Sequence, residues 1–117
     1  MTGPKLSWGR FPRFQQHANE IYWPDDVAQL IRERSNKPID GTLAFGMGRS
    51  YGDSCLAASD QVLSMRGMNR ILSANWEDGV IHAHAGLTLD QLINVVLPQG
   101  WFLPVTPGTR FVTLGGA

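Results

Sequence analysis

Apolar and polar positions in this chain alternate between strand-like and helix-like spacing. Residues 19–23 carry Ile21, Tyr22 and Trp23 together and predict a strand, which Pro24 ends. Beyond it, Val27, Leu30 and Ile31 recur on one helical face, with Arg32, Glu33 and Arg34 mostly outside. Asp25 or Asp26 supplies the cap of that helix, and Asn36, Pro38 and Gly41 stop it. Residues 42–45 predict the next strand. Strand, helix and strand at this spacing form a βαβ unit with parallel strands. Residues 61–65, 70–74 and 80–85 predict three more strands. The polar turn at 75–79 joins the last two into an antiparallel hairpin. Thr88 and Gln91 stand at capping-box spacing ahead of an apolar face of Leu89, Leu92, Ile93, Val96 and Leu97, and Pro98 and Gly100 end this second helix. The pattern predicts an α+β domain: a parallel βαβ start, then a small mixed or antiparallel sheet with one helix.

The 117 residues fit one domain, and no repeat or linker divides them. A chain of this size buries roughly two-thirds of its unfolded surface, and 43% hydrophobic content can fill such a core. Ten basic residues balance ten acidic ones, which argues against a nucleic-acid partner. Cys55 is the only cysteine, so no intrachain disulfide forms, and a reduced cytoplasmic setting is the simpler expectation. No apolar run reaches the ~20 residues of a spanning helix, which leaves peripheral membrane association open. The last residues, Leu114-Gly115-Gly116-Ala117, read as a loop entering a further element, so the chain is expected to be a piece of a longer protein.

Glycine placement adds chemistry to this frame. Gly46-Met47-Gly48-Arg49-Ser50-Tyr51-Gly52-Asp53 follows the strand at 42–45. Glycine accepts backbone angles that a Cβ forbids, so such a loop can turn several N–H groups into one concavity that holds a phosphate. Arg49 adds a positive charge, and Ser50 and Tyr51 add hydroxyls. A second loop of similar character, Pro107-Gly108-Thr109-Arg110 followed by Gly115 and Gly116, suggests a nucleotide-type cofactor gripped from two sides, and the two loops are expected to meet in space. The first loop lacks the Gly-Lys-Ser/Thr ending of a Walker loop, and its glycine spacing is not the dinucleotide fingerprint, so a Rossmann domain is disfavoured.

Other candidates carry two readings. Asp53 either accepts a ribose hydroxyl or caps the turn, the more common role. Tyr51 either lies on a flat ring or fills the core. His82 and His84 share a face of a strand, but no further ligand at metal spacing joins them, so no metal site is expected. His17 has no evident partner. Cys55 is either a reactive thiol or a small buried residue, the latter being the more common role. Trp76 belongs to a surface turn, and Trp101 and Phe102 to the core or to a lid over the cofactor.

The two ordered loops, 46–53 and 107–117, resemble the N-terminal half of an FAD-linked oxidase domain, the PCMH-type fold of vanillyl-alcohol oxidase and p-cresol methylhydroxylase. Trp8-Gly9-Arg10 and Leu89-Asp90-Gln91-Leu92 resemble the decaprenylphosphoryl-ribose and sugar-lactone oxidases within it. The resemblance covers nearly the whole chain, residues 8–117, and implies FAD as cofactor. Residues 44–54, among them Phe45, Gly46, Met47, Gly48, Arg49, Ser50, Tyr51, Gly52, Asp53 and Ser54, would wrap the FAD pyrophosphate and ribitol. Gly108, Thr109, Thr113, Leu114, Gly115 and Gly116 would touch the flavin side. Many relatives bear a histidine at the position of Arg49 and link it to the flavin; arginine cannot, which implies non-covalent FAD. Relatives often carry arginine where this chain has Phe45. The resemblance further implies that the whole enzyme oxidises an alcohol carbon of a sugar or polyol-like substrate by hydride transfer, with its substrate domain outside this chain. No residue here is assigned as catalytic base, and this piece alone is expected to be inactive, to hold FAD weakly and to self-associate. The alternative is a non-enzymatic nucleotide- or phosphate-binding module.

Overall fold

Strand β3 (Gln61–Ser64) organises the first half of the molecule. It is the central strand of a three-stranded parallel sheet, with β1 (His17–Glu20) on one side and β2 (Leu43–Phe45) on the other. The computed structural model describes residues 5–34 and 41–117. Val62, Leu63 and Ser64 are all buried, as a strand covered on both faces requires. Alternation sends Val62 to one side, against Phe45, Cys55 and Ala57, and Leu63 to the other, against Ile21 and Met68. Helix α1 (Pro24–Arg34) covers the second side with half-buried Val27 and Leu30.

This arrangement refines the expected βαβ unit. β1 and β2 are parallel, but β3 lies between them. The most apolar strand takes the position shielded on both faces, and the short β1 and β2 take the edges. β1 also ends earlier than its apolar residues suggest. Asp26 Oδ2 accepts the N–H groups of Tyr22 and Trp23 at 3.3 and 3.1 Å, which diverts them from strand pairing into the start of α1. Tyr22 and Trp23 are exposed, and Ile31 faces outward rather than joining Val27 and Leu30. Arg34 ties the end of α1 to β1 and to the residue before β2, donating to Asn19 and, at 3.1 Å, to Thr42. The expected helix stop at Asn36 and Pro38 lies outside the described residues.

The second half is a helix on a hairpin. β4 (Ile71–Asn75) and β5 (Val80–Ala83) pair antiparallel, with an irregularity between Ile71 and Ser73. Asn75 Oδ1 accepts from the N–H groups of Glu77 and Asp78, closing the expected turn. Helix α2 (Leu89–Val96) begins with the anticipated capping box: Thr88 Oγ1 accepts from Gln91 N at 3.2 Å, and Gln91 Oε1 accepts from Thr88 N at 3.0 Å. Leu89, Leu92 and Val96 bury against Leu87 and against Ile71, Ile81 and Leu114, whereas Leu97 turns to solvent in a short 3-10 turn. Trp101 donates Nε1–H to the carbonyl of Trp76 and packs over Gly79, so it clasps the hairpin tip rather than entering the core.

Gly86 joins the halves. Its N–H donates to Met68 O at 2.9 Å, beside His84 N to Arg70 O and Gly115 N to Ala85 O, both 2.9 Å. The chain at 110–114 then returns over α2, with Leu89 N donating to Val112 O and Leu114 N to Leu87 O.

Candidate functional site

In a parallel sheet the loops leaving the carboxyl ends of neighbouring strands converge, and ligands bind there. The loop at 46–50 leaves β2, and the short turn Met65–Gly67 leaves β3 beside it. Phe45 anchors the first loop from below. Its ring is buried in the sheet core, so it is not itself a wall of the site. Gly46 then passes so close to residue 113 that a Cβ would lie 2.4 Å from Thr113 Oγ1. Gly48 has φ +66, and a Cβ there would lie 2.6 Å from Leu6 O. Only glycine permits both approaches at once.

The two glycine loops meet. Gly46, Met47, Gly48, Arg49 and Ser50 form one wall of a cavity of about 350 Å³, and Val112, Thr113, Gly115 and Gly116 form the opposite wall. Ser54, Cys55, Met65 and Ala85 complete it. Among the described residues, the backbone N–H groups of Met47, Gly48, Arg49 and Ser50 have no hydrogen-bond acceptor. The facing wall differs: Leu114, Gly115 and Gly116 spend their N–H groups on Leu87, Ala85 and Thr113 carbonyls. The first loop therefore supplies donors for an anion, and the second supplies shape.

Several expected contacts lie outside this cavity. Tyr51 is 93% exposed, and Gly52 and Asp53 are exposed with it. They form a turn in which Leu56 N donates to Asp53 O at 2.8 Å, so Asp53 acts in the turn through its backbone. Leu114 points into the α2 core because it alternates with Thr113. Gly108 and Thr109 line a separate cavity with Asp90, Phe102 and Arg110. The Arg110–Asp90 ion pair at 3.0 Å and the Asp90 N to Arg110 O bond hold that turn on the N-terminus of α2.

Arg66 escaped the sequence reading. Its Nη1 donates to Met47 Sδ, a weak acceptor, and its buried Nε has no partner among the described residues. Arg66 thus lies against the Met47 side chain with no carboxylate partner among the described residues, but it does not line the cavity itself. Its signal was topological rather than local: Arg66 follows β3, which only the folded sheet places next to β2. Arg49 also lacks a described carboxylate partner and stacks on Trp8 with 4.7 Å to the ring centroid. Burial pushes the Cys55 thiol above its ordinary pKa, with nearby Asp53 adding to the effect, so the thiolate is disfavoured there. His17 does have a partner, Asp60 at 3.2 Å, and neither residue lines the cavity. No group of three metal-ligating side chains occurs among the described residues.

A family model described as an FAD binding domain matches residues 23–117. The chain belongs to that family. FAD is its cofactor, and the residues present fit it: open N–H groups and Arg49 for a pyrophosphate, glycine walls for close approach, and apolar Met65 and Ala85 beside them. The mixture of parallel and antiparallel sheets agrees with the PCMH-type fold. Two relatives of this FAD-binding chain carry names that state an activity. Decaprenylphosphoryl-β-D-ribose oxidase of Mycolicibacterium smegmatis is 35% identical over 112 residues, covering 96% of this chain and 24% of that protein. D-lactate dehydrogenase of Anaerostipes hadrus is 26% identical over 92 residues, covering 79% of this chain and 19% of that protein. The chain thus spans a quarter or less of each relative's length.

Proposed function

We propose that this chain is the pyrophosphate-holding part of a flavin-dependent oxidoreductase that oxidises an alcohol carbon of a sugar or polyol-like substrate. The observation that carries it is the row of open N–H groups at 47–50 in a loop that lines one cavity with Val112, Thr113, Gly115 and Gly116, within an FAD-binding domain. Bound flavin supplies the capacity to accept a hydride. The chain's own residues bind and orient it: the loop N–H groups and the Arg49 guanidinium neutralise phosphate charge, and Thr113 and Gly115 set the width of the slot. The oxidase name of one relative, with its ribose substrate, favours a sugar over a simple hydroxy acid. Exposed Phe102, Val105 and Phe111 support self-association of this chain through its second half. We place the protein in the cytoplasm.

Arg49 is the direct test. In the whole enzyme, Arg49→Ala is expected to weaken FAD binding about tenfold to hundredfold, the loss of one charge-assisted hydrogen bond of about 1.5–3 kcal/mol. Flavin fluorescence titration measures it, and an unchanged dissociation constant would remove the residue from the phosphate site.

The linkage itself is tested separately. Arginine does not form the histidyl bond to flavin, so acid precipitation of flavin-loaded protein is expected to release all yellow colour into the supernatant. Colour retained in the pellet would contradict non-covalent FAD.

A further inference from the structure

The irregular segment before β1 is pinned at both ends. At one end Ser7 is buried, and Leu6 O lies beside the glycine loop, where a Cβ at Gly48 would meet it. At the other, the Gln16 amide grips Ala57 twice: Nε2 donates to Ala57 O at 3.3 Å, and Oε1 accepts from Ala57 N at 2.8 Å. Between these anchors the chain bonds mainly to itself. Arg10 N donates to Ser7 O at 3.0 Å and closes a turn, and Arg13 Nε donates to Arg10 O at 3.3 Å. Three large aromatic side chains stand out from this stretch: Trp8 is 64% exposed, Phe11 80% and Phe14 51%. Single exposed apolar residues are ordinary, but three aromatics on one pinned loop mark an interaction surface. Arg10 and Arg13 are interleaved with them, both exposed and without a carboxylate partner among the described residues. The charge along the chain is uneven in the same sense. All ten acidic residues lie at Glu20 or beyond, so Lys5, Arg10 and Arg13 occupy a stretch with no acid, and the rest of the chain has a net negative formal charge.

We propose that residues 8–14 dock on an anionic lipid membrane. The Trp8, Phe11 and Phe14 rings enter the boundary between headgroups and acyl chains, and the Arg10 and Arg13 guanidiniums reach lipid phosphates. Two cations alone attach weakly, and so do a few shallow rings. Together they supply the apolar and basic signals that peripheral binding needs. The cytoplasmic leaflet is the negatively charged one, so the surface agrees with a cytoplasmic placement. A single-stranded nucleic acid suits the segment less well, because it needs a basic groove that follows several nucleotides, and two arginines do not make one. Phe11, Phe14, Arg10 and Arg13 do not line the 350 Å³ cavity, so the inference does not rest on how FAD is seated.

Sedimentation of the flavin-loaded whole enzyme with vesicles of phosphatidylcholine and phosphatidylglycerol in equal parts tests this. Binding is expected at low salt, much weaker to pure phosphatidylcholine, and falling as salt rises, since salt screens exposed charges. Phe11→Ser combined with Phe14→Ser should lower the binding constant about tenfold or more, the loss of two partly inserted rings. Arg13→Gln should lower it about fivefold, as for one cation near such a surface, and Arg13→Lys should retain it. Leu97→Ser, which removes an exposed apolar side chain elsewhere, is the control and should change nothing. Tryptophan emission should shift to the blue on vesicle addition in the wild type and not in Trp8→Phe. Matched thermal unfolding of the variants shows that the fold is intact. Binding no stronger than to pure phosphatidylcholine, or binding indifferent to both the phenylalanine and the arginine changes, overturns the proposal. A wild type that ignores vesicles while Phe11→Ser with Phe14→Ser unfolds at a lower temperature also overturns it, and assigns the rings to packing against the rest of the enzyme. Binding of a single-stranded oligonucleotide through the same residues, in place of vesicles, overturns it in favour of a nucleic acid.

Discussion

Gly86→Ala is expected to leave little natively folded protein. A Cβ at this position would stand 1.7 Å from Met65 O and 2.6 Å from Met68 O, and both are backbone atoms. Overpacked side chains usually relax at a cost of about 1–3 kcal/mol. Here the obstructing carbonyls belong to a turn closed by its own bond, Met68 N to Met65 O at 3.0 Å, so relaxation must break that turn. It must also break the Gly86 N to Met68 O bond that joins the parallel sheet to the helix–hairpin half. The combined loss reaches the upper end of that range or beyond, against a total stability of about 5–15 kcal/mol for an ordinary domain. Thermal unfolding followed by near-ultraviolet circular dichroism measures it. Gly9→Ala, with nothing within 4 Å of the added Cβ, serves as the control. A Gly86→Ala protein melting with the wild type would show that the junction is not where the structure puts it.

The second large effect falls on cofactor binding rather than folding. Gly46→Ala places a Cβ 2.4 Å from Thr113 Oγ1 and 2.9 Å from Thr113 Cγ2. Thr113 is buried, β-branched and paired with Thr88 next to the α2 cap, so it has little room to turn away. The loop must shift instead, and the donors at 47–50 move with it. FAD affinity is expected to fall about hundredfold, the binding equivalent of the upper part of the overpacking range. The double variant Gly46→Ala, Thr113→Ala removes both clashing atoms and is expected to recover most of the loss. Such non-additivity is the mark of direct contact. Strict additivity of the two changes would mean that the loops do not touch.

Features governed by neighbours in sequence were legible before folding. The capping box of Thr88 and Gln91, the buried face of Leu89, Leu92 and Val96, and the Asn75 turn depend on residues a few positions apart. Features set by distant pairing were not. Nothing local to residues 61–64 places β3 between β1 and β2, and without that placement Arg66 has no reason to be associated with Met47. Tyr22 and Trp23 look like strand residues until Asp26 claims their N–H groups. The glycine loops announced a site, but not its division of labour: the hydrogen bonds of Leu114, Gly115 and Gly116 appear only once residues 85–87 lie alongside. Phe45 and Leu114 illustrate the same limit, since a residue within a binding motif can serve it from beneath.

All three strands of the parallel sheet run towards the cavity, so their opposite ends gather at a pole remote from it. There His17 meets Asp60, and Ser59 Oγ donates to the carbonyl of Gly41, both pairs lying at the protein surface. Surface loops of this kind absorb added length at small energetic cost. That pole is the natural attachment point for a fluorophore or an affinity handle: a label at Ser59 would report on flavin arrival without entering its path.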